Sequence, residues 1–103
     1  MISFVIPTLN EEKEIENTFR NLSLYSGAHE VIVSDGGSTD KTLEIARKYD
    51  VKIVEHKAEH RQTIAEGRNA GADIALGEYI VTMDADTRFP DINNFFENII
   101  RAC

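Results

Sequence analysis

The feature that most restricts this chain is an alternation. Four short β-rich runs recur along it, each followed by a stretch of helical periodicity. Ile2 to Ile6 (ISFVI) reads as the first strand, ended by Pro7. Asn10 then reads as a helix cap, because its side-chain oxygen can accept from a free N–H, and Glu11 and Glu12 suit the positive end of the helix dipole. Ile15, Phe19 and Leu22 follow at i, i+4 and i+7, one apolar stripe. Glu30 to Ser34 (EVIVS) is a second strand, and Ser38 or Thr39 is placed to cap a helix with Leu43, Ala46 and Tyr49 inward. Val51 to Glu55 is a third strand, amphipathic enough to lie near an edge. Thr63 to Leu76 has helical character, weakened by Gly67 and Gly71. Glu78 to Met83 is a fourth strand, and Asp91 can cap a last helix with Ile92, Phe95, Phe96, Ile99 and Ile100 inward. Strands alternating with helices of this length imply right-handed βαβ units. The expected fold is α/β, a Rossmann-like parallel sheet flanked by helices, in one domain over residues 1–103.

In open parallel sheets, ligands bind beyond the carboxyl ends of the strands. The polar, glycine-rich and acidic segments fall there: Thr8 to Glu11 after the first strand, Asp35 to Asp40 after the second, Asp84 to Asp86 after the fourth. Three separate stretches are thus expected to meet at one edge. The formal net charge of −7 argues against nucleic acid as a partner, since backbone binding needs clustered Lys and Arg. An acidic chain that binds phosphates must offset the repulsion locally, with a metal ion, helix N-termini or a few placed arginines.

Each motif also has a plain structural reading. Asp84-Ala85-Asp86 places two carboxylates at i and i+2 past a strand, a pair suited to a hard divalent cation, or simply a solvated turn. In Ser34-Asp35-Gly36-Gly37-Ser38-Thr39-Asp40 the glycines allow close backbone approach, and Asp35 could accept from a base N–H. A tight turn with Asp40 serving the helix start explains the rest. Pro7, Thr8 and Glu11 could line a nucleoside pocket, or merely begin a helix. Arg68, in Gly67-Arg68-Asn69-Ala70-Gly71, offers a fixed charge to a phosphate, or is a surface arginine. His29, His56 and His60 form no ligand set by spacing and read as solvated; His60 and Arg61 sit in a loop that could close over a ligand.

Together, VIPTLNEE (Val5 to Glu12), VSDGGSTDKT (Val33 to Thr42), GRNAG (Gly67 to Gly71) and GEYIVTMDADT (Gly77 to Thr87) resemble, in order, the N-terminal half of family 2 glycosyltransferases with the GT-A fold. The resemblance covers nearly the whole chain. It implies that Pro7, Thr8 and Glu11 line the nucleoside pocket and that Asp35 contacts the base. It also implies that Arg68 approaches base or phosphate, that Asp84 contacts ribose or the metal shell, and that Asp86 coordinates Mg2+ or Mn2+ at the diphosphate of a UDP, GDP or dTDP sugar. One departure stands out: many members carry a second acidic residue where this chain has Gly36, and in some that residue makes the base contact. The resemblance also places the acceptor subsite and the catalytic base well downstream of the D-x-D, and the chain ends seventeen residues after Asp86. The acceptor is thus not identified by these residues.

The expected activity is transfer of a sugar from that donor to an acceptor hydroxyl. The alternative is a non-catalytic donor-fold module that binds nucleotide or self-associates through the apolar face of its last helix. A receiver-like signalling domain fits less well, because the acidic pair comes late and no Lys follows Lys57. The apolar runs are too short to span a bilayer, the N-terminus has no basic-then-apolar signal pattern, and the lone Cys103 has no internal partner. A cytoplasmic setting is expected, with any contact to the inner membrane face made by a part beyond this chain.

Overall fold

A computed structural model describes residues 1–56, 60 and 62–102, with side chains described as far as Asn98. Expectations for Lys57, Arg61 and Cys103, and for the Ile99 and Ile100 side chains, lie outside the described residues. The elements run β1 (Ile2–Thr8), α1 (Ile15–Leu22), β2 (His29–Asp35), α2 (Thr42–Ala46), β3 (Lys52–Glu55), α3 (Ile64–Asp73), β4 (Tyr79–Thr82) and α4 (Ile92–Ala102). All pairings among the strands are parallel, in the order β3-β2-β1-β4. The chain steps outward from β1 to β2 to β3, then α3 carries it back past β1 to β4. That reversal puts a switch point between β1 and β4, where an open sheet leaves a crevice at its carboxyl edge.

The two central strands carry the burial. In β1, Ile2, Phe4 and Ile6 point into a cluster with Ile15, Phe19 and Leu22 of α1, Ala46 of α2, and Ile92 and Phe96 of α4. Phe96 meets Phe4 edge-on at 5.3 Å between centroids, and burying each such ring contributes about 2–3 kcal/mol. The α1 stripe is as the spacing predicts: Ile15, Phe19 and Leu22 are all buried. β3 is an edge strand, as its amphipathic pattern suggests.

The opposite face of β1 presents Val5 and Pro7 to α3, and here the helix has almost no side chains. A Cβ on Gly71 would sit 2.3 Å from Val5 Cγ1, and one on Gly67 would sit 3.3 Å from Pro7 Cβ. The two glycines, four apart, form one helical face that lets the backbone lie against the sheet. The residues that weaken α3 by propensity are therefore the ones that seat it. A capping box compensates at its start, with the Thr63 hydroxyl accepting from the Glu66 N–H and the Glu66 carboxylate accepting from the Thr63 N–H.

Several local expectations are corrected. β1 continues through Pro7 to Thr8. Val5 accepts from the Met83 N–H, so the alternate residue Pro7 faces the same side, beyond the last β4 pair at Val5↔Thr82. No ladder donor is missed there. Asn10 does not cap α1, which starts at Ile15 without a side-chain cap, and neither Ser38 nor Thr39 caps α2. Phe95 is 47% exposed rather than inward. His29 is half-buried rather than solvated, with its ring against Phe4 and Nδ1 2.8 Å from the Gly27 carbonyl oxygen. The Asp91 cap of α4 is present, its carboxylate accepting from the Asn94 N–H.

The amino edge of the sheet is closed by one carboxylate. Glu30 on β2 accepts from the Ser3 hydroxyl of β1 and from the Leu76 N–H, both at 2.6 Å, and pairs with Lys52 of β3 at 2.6 Å. Ser3 in turn accepts from the Gly77 N–H. A side chain at Gly77 would have no room, since a Cβ there would lie 2.5 Å from Ser3 Oγ and 2.7 Å from the Met1 carbonyl oxygen. Burial works against the Glu30 charge, but the hydrogen bonds from Lys52, Ser3 and Leu76 outweigh it and hold its pKa at about 2.

Candidate functional site

The carboxyl edge is built from the three loops that the strand ends deliver. The β1 and β2 loops lock into each other. Asn10, in the left-handed region at φ 53°, accepts through its side-chain oxygen from the Thr39 N–H at 2.8 Å, and its own N–H donates to the Ser38 hydroxyl at 2.9 Å. Asn tolerates this backbone region better than most residues. The Glu11 N–H donates to the Thr42 hydroxyl, and the Glu12 N–H donates to Asp40. Asp40 also accepts from the Thr42 N–H at the start of α2, the role its position suggested. Burial opposes the Asp40 charge, but the Thr42 side chain and backbone and the Glu12 N–H outweigh it, so its pKa lies below the ordinary value.

Asp35 is 1% exposed. Its Oδ1 accepts from the Thr8 hydroxyl at 3.2 Å and the Ser38 hydroxyl at 2.5 Å, and its Oδ2 accepts from the Gly37 and Ser38 N–H groups at 3.0 and 2.8 Å. Gly37 sits at φ 108°, a conformation open to glycine, and this folds the loop back onto the carboxylate. Asp35 is thus the internal fastener of its own turn.

The Asp84-Ala85-Asp86 segment is held by its middle. Ala85 is buried while Asp84 and Asp86 are exposed. The Ala85 carbonyl accepts from the Thr18 hydroxyl of α1. Arg88 reinforces this joint: one nitrogen donates to Thr18 Oγ1 and to the Thr87 carbonyl at 2.9 Å, and the other to the Glu14 carbonyl at 3.1 Å and the Glu14 carboxylate at 2.9 Å. The Thr87 N–H closes the turn on the Asp84 carbonyl.

Charge converges where the loops meet. The Glu11 carboxyl is pushed above its ordinary pKa by its own burial first, then by Asp86, Asp40, Glu14 and Asp84. Contributions from all three loops act on one group, so the expected meeting of the strand ends is realised. Among the described residues no three His, Cys, Asp or Glu side chains form a ready-made metal cage. The donor set is still of the right kind. Two exposed carboxylates suit a hard cation that completes its shell with water and a ligand's phosphate oxygens, the usual manner of Mg2+.

Two concavities flank this acidic ridge. A small one lies between Pro7, Thr8, Gly36, Gln62 and Thr63. A second lies along β4, bordered by Arg68, Thr82, Asp84, Thr87 and Phe95. Arg68 is exposed and shares the second with Asp84, away from the Pro7 and Thr8 cavity. Sequence reasoning passed over Arg88 and Gln62. A basic residue two positions past an acidic pair was the available signal for the first; nothing local marked the second.

Comparison with known proteins places this architecture. A family model described as glycosyl transferase family 2 matches residues 3–101. A PGL/p-HBAD biosynthesis glycosyltransferase of Mycobacterium bovis is 33% identical over 90 residues, covering 84% of this chain and 35% of the relative. The dodecaprenyl-phosphate galacturonate synthase of Rhizobium johnstonii is 39% identical over 95 residues, covering 82% of this chain and 28% of the relative. Among solved structures, the mannosyltransferase PcManGT from Pyrobaculum calidifontis, in complex with GDP-Man and Mn2+, superposes with a TM-score of 0.83 at 27% identity, over 97% of this chain and 31% of that one. Staphylococcus aureus TarS in complex with UDP superposes with a TM-score of 0.82 at 27% identity, over 96% and 31%. The chain therefore spans about a third of the length of these proteins. Its four-stranded parallel sheet, flanked by helices, matches the GT-A architecture of these glycosyltransferases, and with the family model running almost from end to end, the chain belongs to glycosyl transferase family 2.

Proposed function

We propose that the chain binds the nucleotide-diphospho-sugar donor of a glycosyltransferase at the carboxyl edge of its sheet. The observation that carries this is the convergence on Glu11 of carboxylates from the β1, β2 and β4 loops at a switch point. Such a surface repels a free diphosphate and suits one that arrives with a divalent cation. In this reading Asp84 and Asp86 hold Mg2+ or Mn2+. When bound, the ion supplies positive charge against that developing on the departing nucleoside diphosphate. The protein's own share is orientation. Ala85, Thr18 and Arg88 fix the turn so that its two carboxylates face outward, and Arg68 stands beside Asp84 to meet phosphate or sugar oxygens. Pro7, Thr8 and Glu11 border the nucleoside side. The similarity to proteins solved with UDP and with GDP-Man plus Mn2+ supports the donor class and the ion. Transfer to an acceptor hydroxyl needs a general base, and we assign that role to no residue of this chain.

Calorimetric titration with UDP, GDP and dTDP, each with and without Mn2+, tests the reading. The expected result is binding of at least one nucleotide that strengthens about tenfold or more with the ion. Absence of binding in every combination refutes it.

A further inference from the structure

The resemblance assigns base contact to Asp35, and the structure argues against that. A carboxylate has about four acceptor positions. Those of Asp35 already take the hydroxyls of Thr8 and Ser38 and two backbone N–H groups, and the residue is 1% exposed. A nucleobase could reach it only by opening the turn it holds together.

The cavity beside it offers a different group. Of the side chains that line it, Pro7, Leu9, Gly36 and Ile64 carry no polar atom. Thr8 is 4% exposed and donates to Asp35. The Thr63 hydroxyl is engaged in the capping box of α3. The remaining one is Gln62, whose amide has no hydrogen-bond partner among the described residues. Its position is set by the two glycines on either side: its Oε1 lies 3.2 Å from where a Cβ at position 36 would stand and 3.1 Å from where one at position 67 would stand. The space beside Gly36 is thus filled from the side by Gln62, through the gap that two glycines leave.

Resting on the donor reading above, we infer that Gln62 is a specificity-determining residue, its side-chain amide reading the edge of the donor's nucleobase in the cavity between Thr8, Gly36 and Thr63. An amide presents one acceptor beside one donor. That pair complements an imide-type edge, an N–H next to a carbonyl, as in uracil, thymine and guanine. Recognition by a neutral amide also avoids adding another carboxylate to an edge that Glu11, Asp84 and Asp86 already make acidic.

The test uses Gln62→Met, which keeps the length that packs over the glycines and removes both polar atoms. Three affinities are measured by calorimetry in Mn2+: UDP, GDP and pyrophosphate, which carries the diphosphate charge without a base. The expected result is a loss of about tenfold for whichever nucleotide the unaltered protein binds best, with pyrophosphate affinity and melting temperature unchanged. Gln62→Glu, which keeps an acceptor and loses the donor, is expected to lose affinity as well. If the unaltered protein binds UDP or GDP and Gln62→Met binds it equally well, the inference is overturned while the donor reading stands. Equal losses for nucleotide and pyrophosphate also overturn it, since they report a general disturbance of the edge. If the unaltered protein binds pyrophosphate with Mn2+ but discriminates no base, the inference fails on that ground. If it binds none of the three, nor dTDP, the donor reading falls and takes the inference with it.

Discussion

The two ends of the same sheet treat negative charge in opposite ways. At the amino edge a single carboxylate, Glu30, is surrounded by a cation, a hydroxyl and a backbone N–H, and these draw β1, β2, β3 and the approach to β4 together. At the carboxyl edge Glu11, Asp84 and Asp86 crowd one another, and Arg88, two residues past Asp86, is spent on Glu14, on Thr18 and on backbone carbonyls. One edge is arranged so that its charge is satisfied within the protein. The other leaves its charge to be satisfied from outside. A site that must accept a cation and an anionic ligand cannot also be at its electrostatic optimum when empty, and the sheet keeps the two demands a strand's length apart.

That contrast can be broken most directly at Glu30. Glu30→Gln is expected to cost about 3 kcal/mol of stability at pH 7, because Lys52 loses its counter-charge, the hydrogen bonds from Ser3 and Leu76 lose their charged acceptor, and one carboxylate oxygen is replaced by an NH2 donor. The pH dependence carries the sign. With a folded pKa of about 2 against an ordinary 4.5, Glu30 contributes stability that is complete above about 4.5 and is lost as pH falls through about 2. Urea unfolding of both proteins should therefore show a gap that is full at pH 7 and narrows below pH 4.5. A gap independent of pH would show that the carboxylate's charge is not what closes this edge. The carboxyl edge is expected to respond in the reverse manner. Asp86→Ala should weaken UDP binding in Mn2+ about 100-fold, equivalent to about 2.7 kcal/mol, and leave metal-free stability unchanged or higher. A matching drop in metal-free stability would erase the distinction between the edges. The smallest expected effect is at Glu11. Its raised pKa means that its ionised form disfavours folding, a cost absent at low pH and incurred as pH rises through the folded value. Glu11→Gln should accordingly stabilise the metal-free protein at pH 7 by about 0.5 kcal/mol, with the benefit gone in acid.

Much of the frame was legible because it depends on local periodicity. The four strands, the Ile15, Phe19 and Leu22 stripe, and the placement of acidic segments after strand ends all follow from residues close in sequence. What was not legible depends on neighbours that only the fold supplies. Asn10 has the right chemistry for a cap, and it does satisfy free N–H groups, but those of Thr39 and Asp40 across the β1–β2 seam. Asn21 and Asn93 are unremarked polar residues in sequence. In the structure Asn21 exchanges two hydrogen bonds with the Phe89 backbone, and Asn93 ties α4 to the α1–β2 connection through Ser26 and Leu24. Gly67 and Gly71 lowered the helical score of α3 because propensity scores the helix alone, whereas the Val5 surface that requires them lies more than sixty residues away in sequence. Asp35 stands out in the sequence only as an acidic strand end; that its carboxylate is taken up by Thr8, Ser38 and the N–H groups of its own turn depends on the folded loop.

The glycine face of α3 has a further consequence, for motion. A helix that meets a sheet through side chains can slip by exchanging rotamers, as shear between packed elements does. At Gly71 and Gly67 α3 has no rotamers to exchange, and Val5 and Pro7 meet its backbone directly. Helix and strand therefore move as one body. Gln62, just ahead of that helix, Arg68 within it, and Thr8 at the end of that strand share its frame. The spacing of their Cα atoms is set by backbone packing, so what a ligand has left to order is the Arg68 and Gln62 side chains and not the elements that carry them.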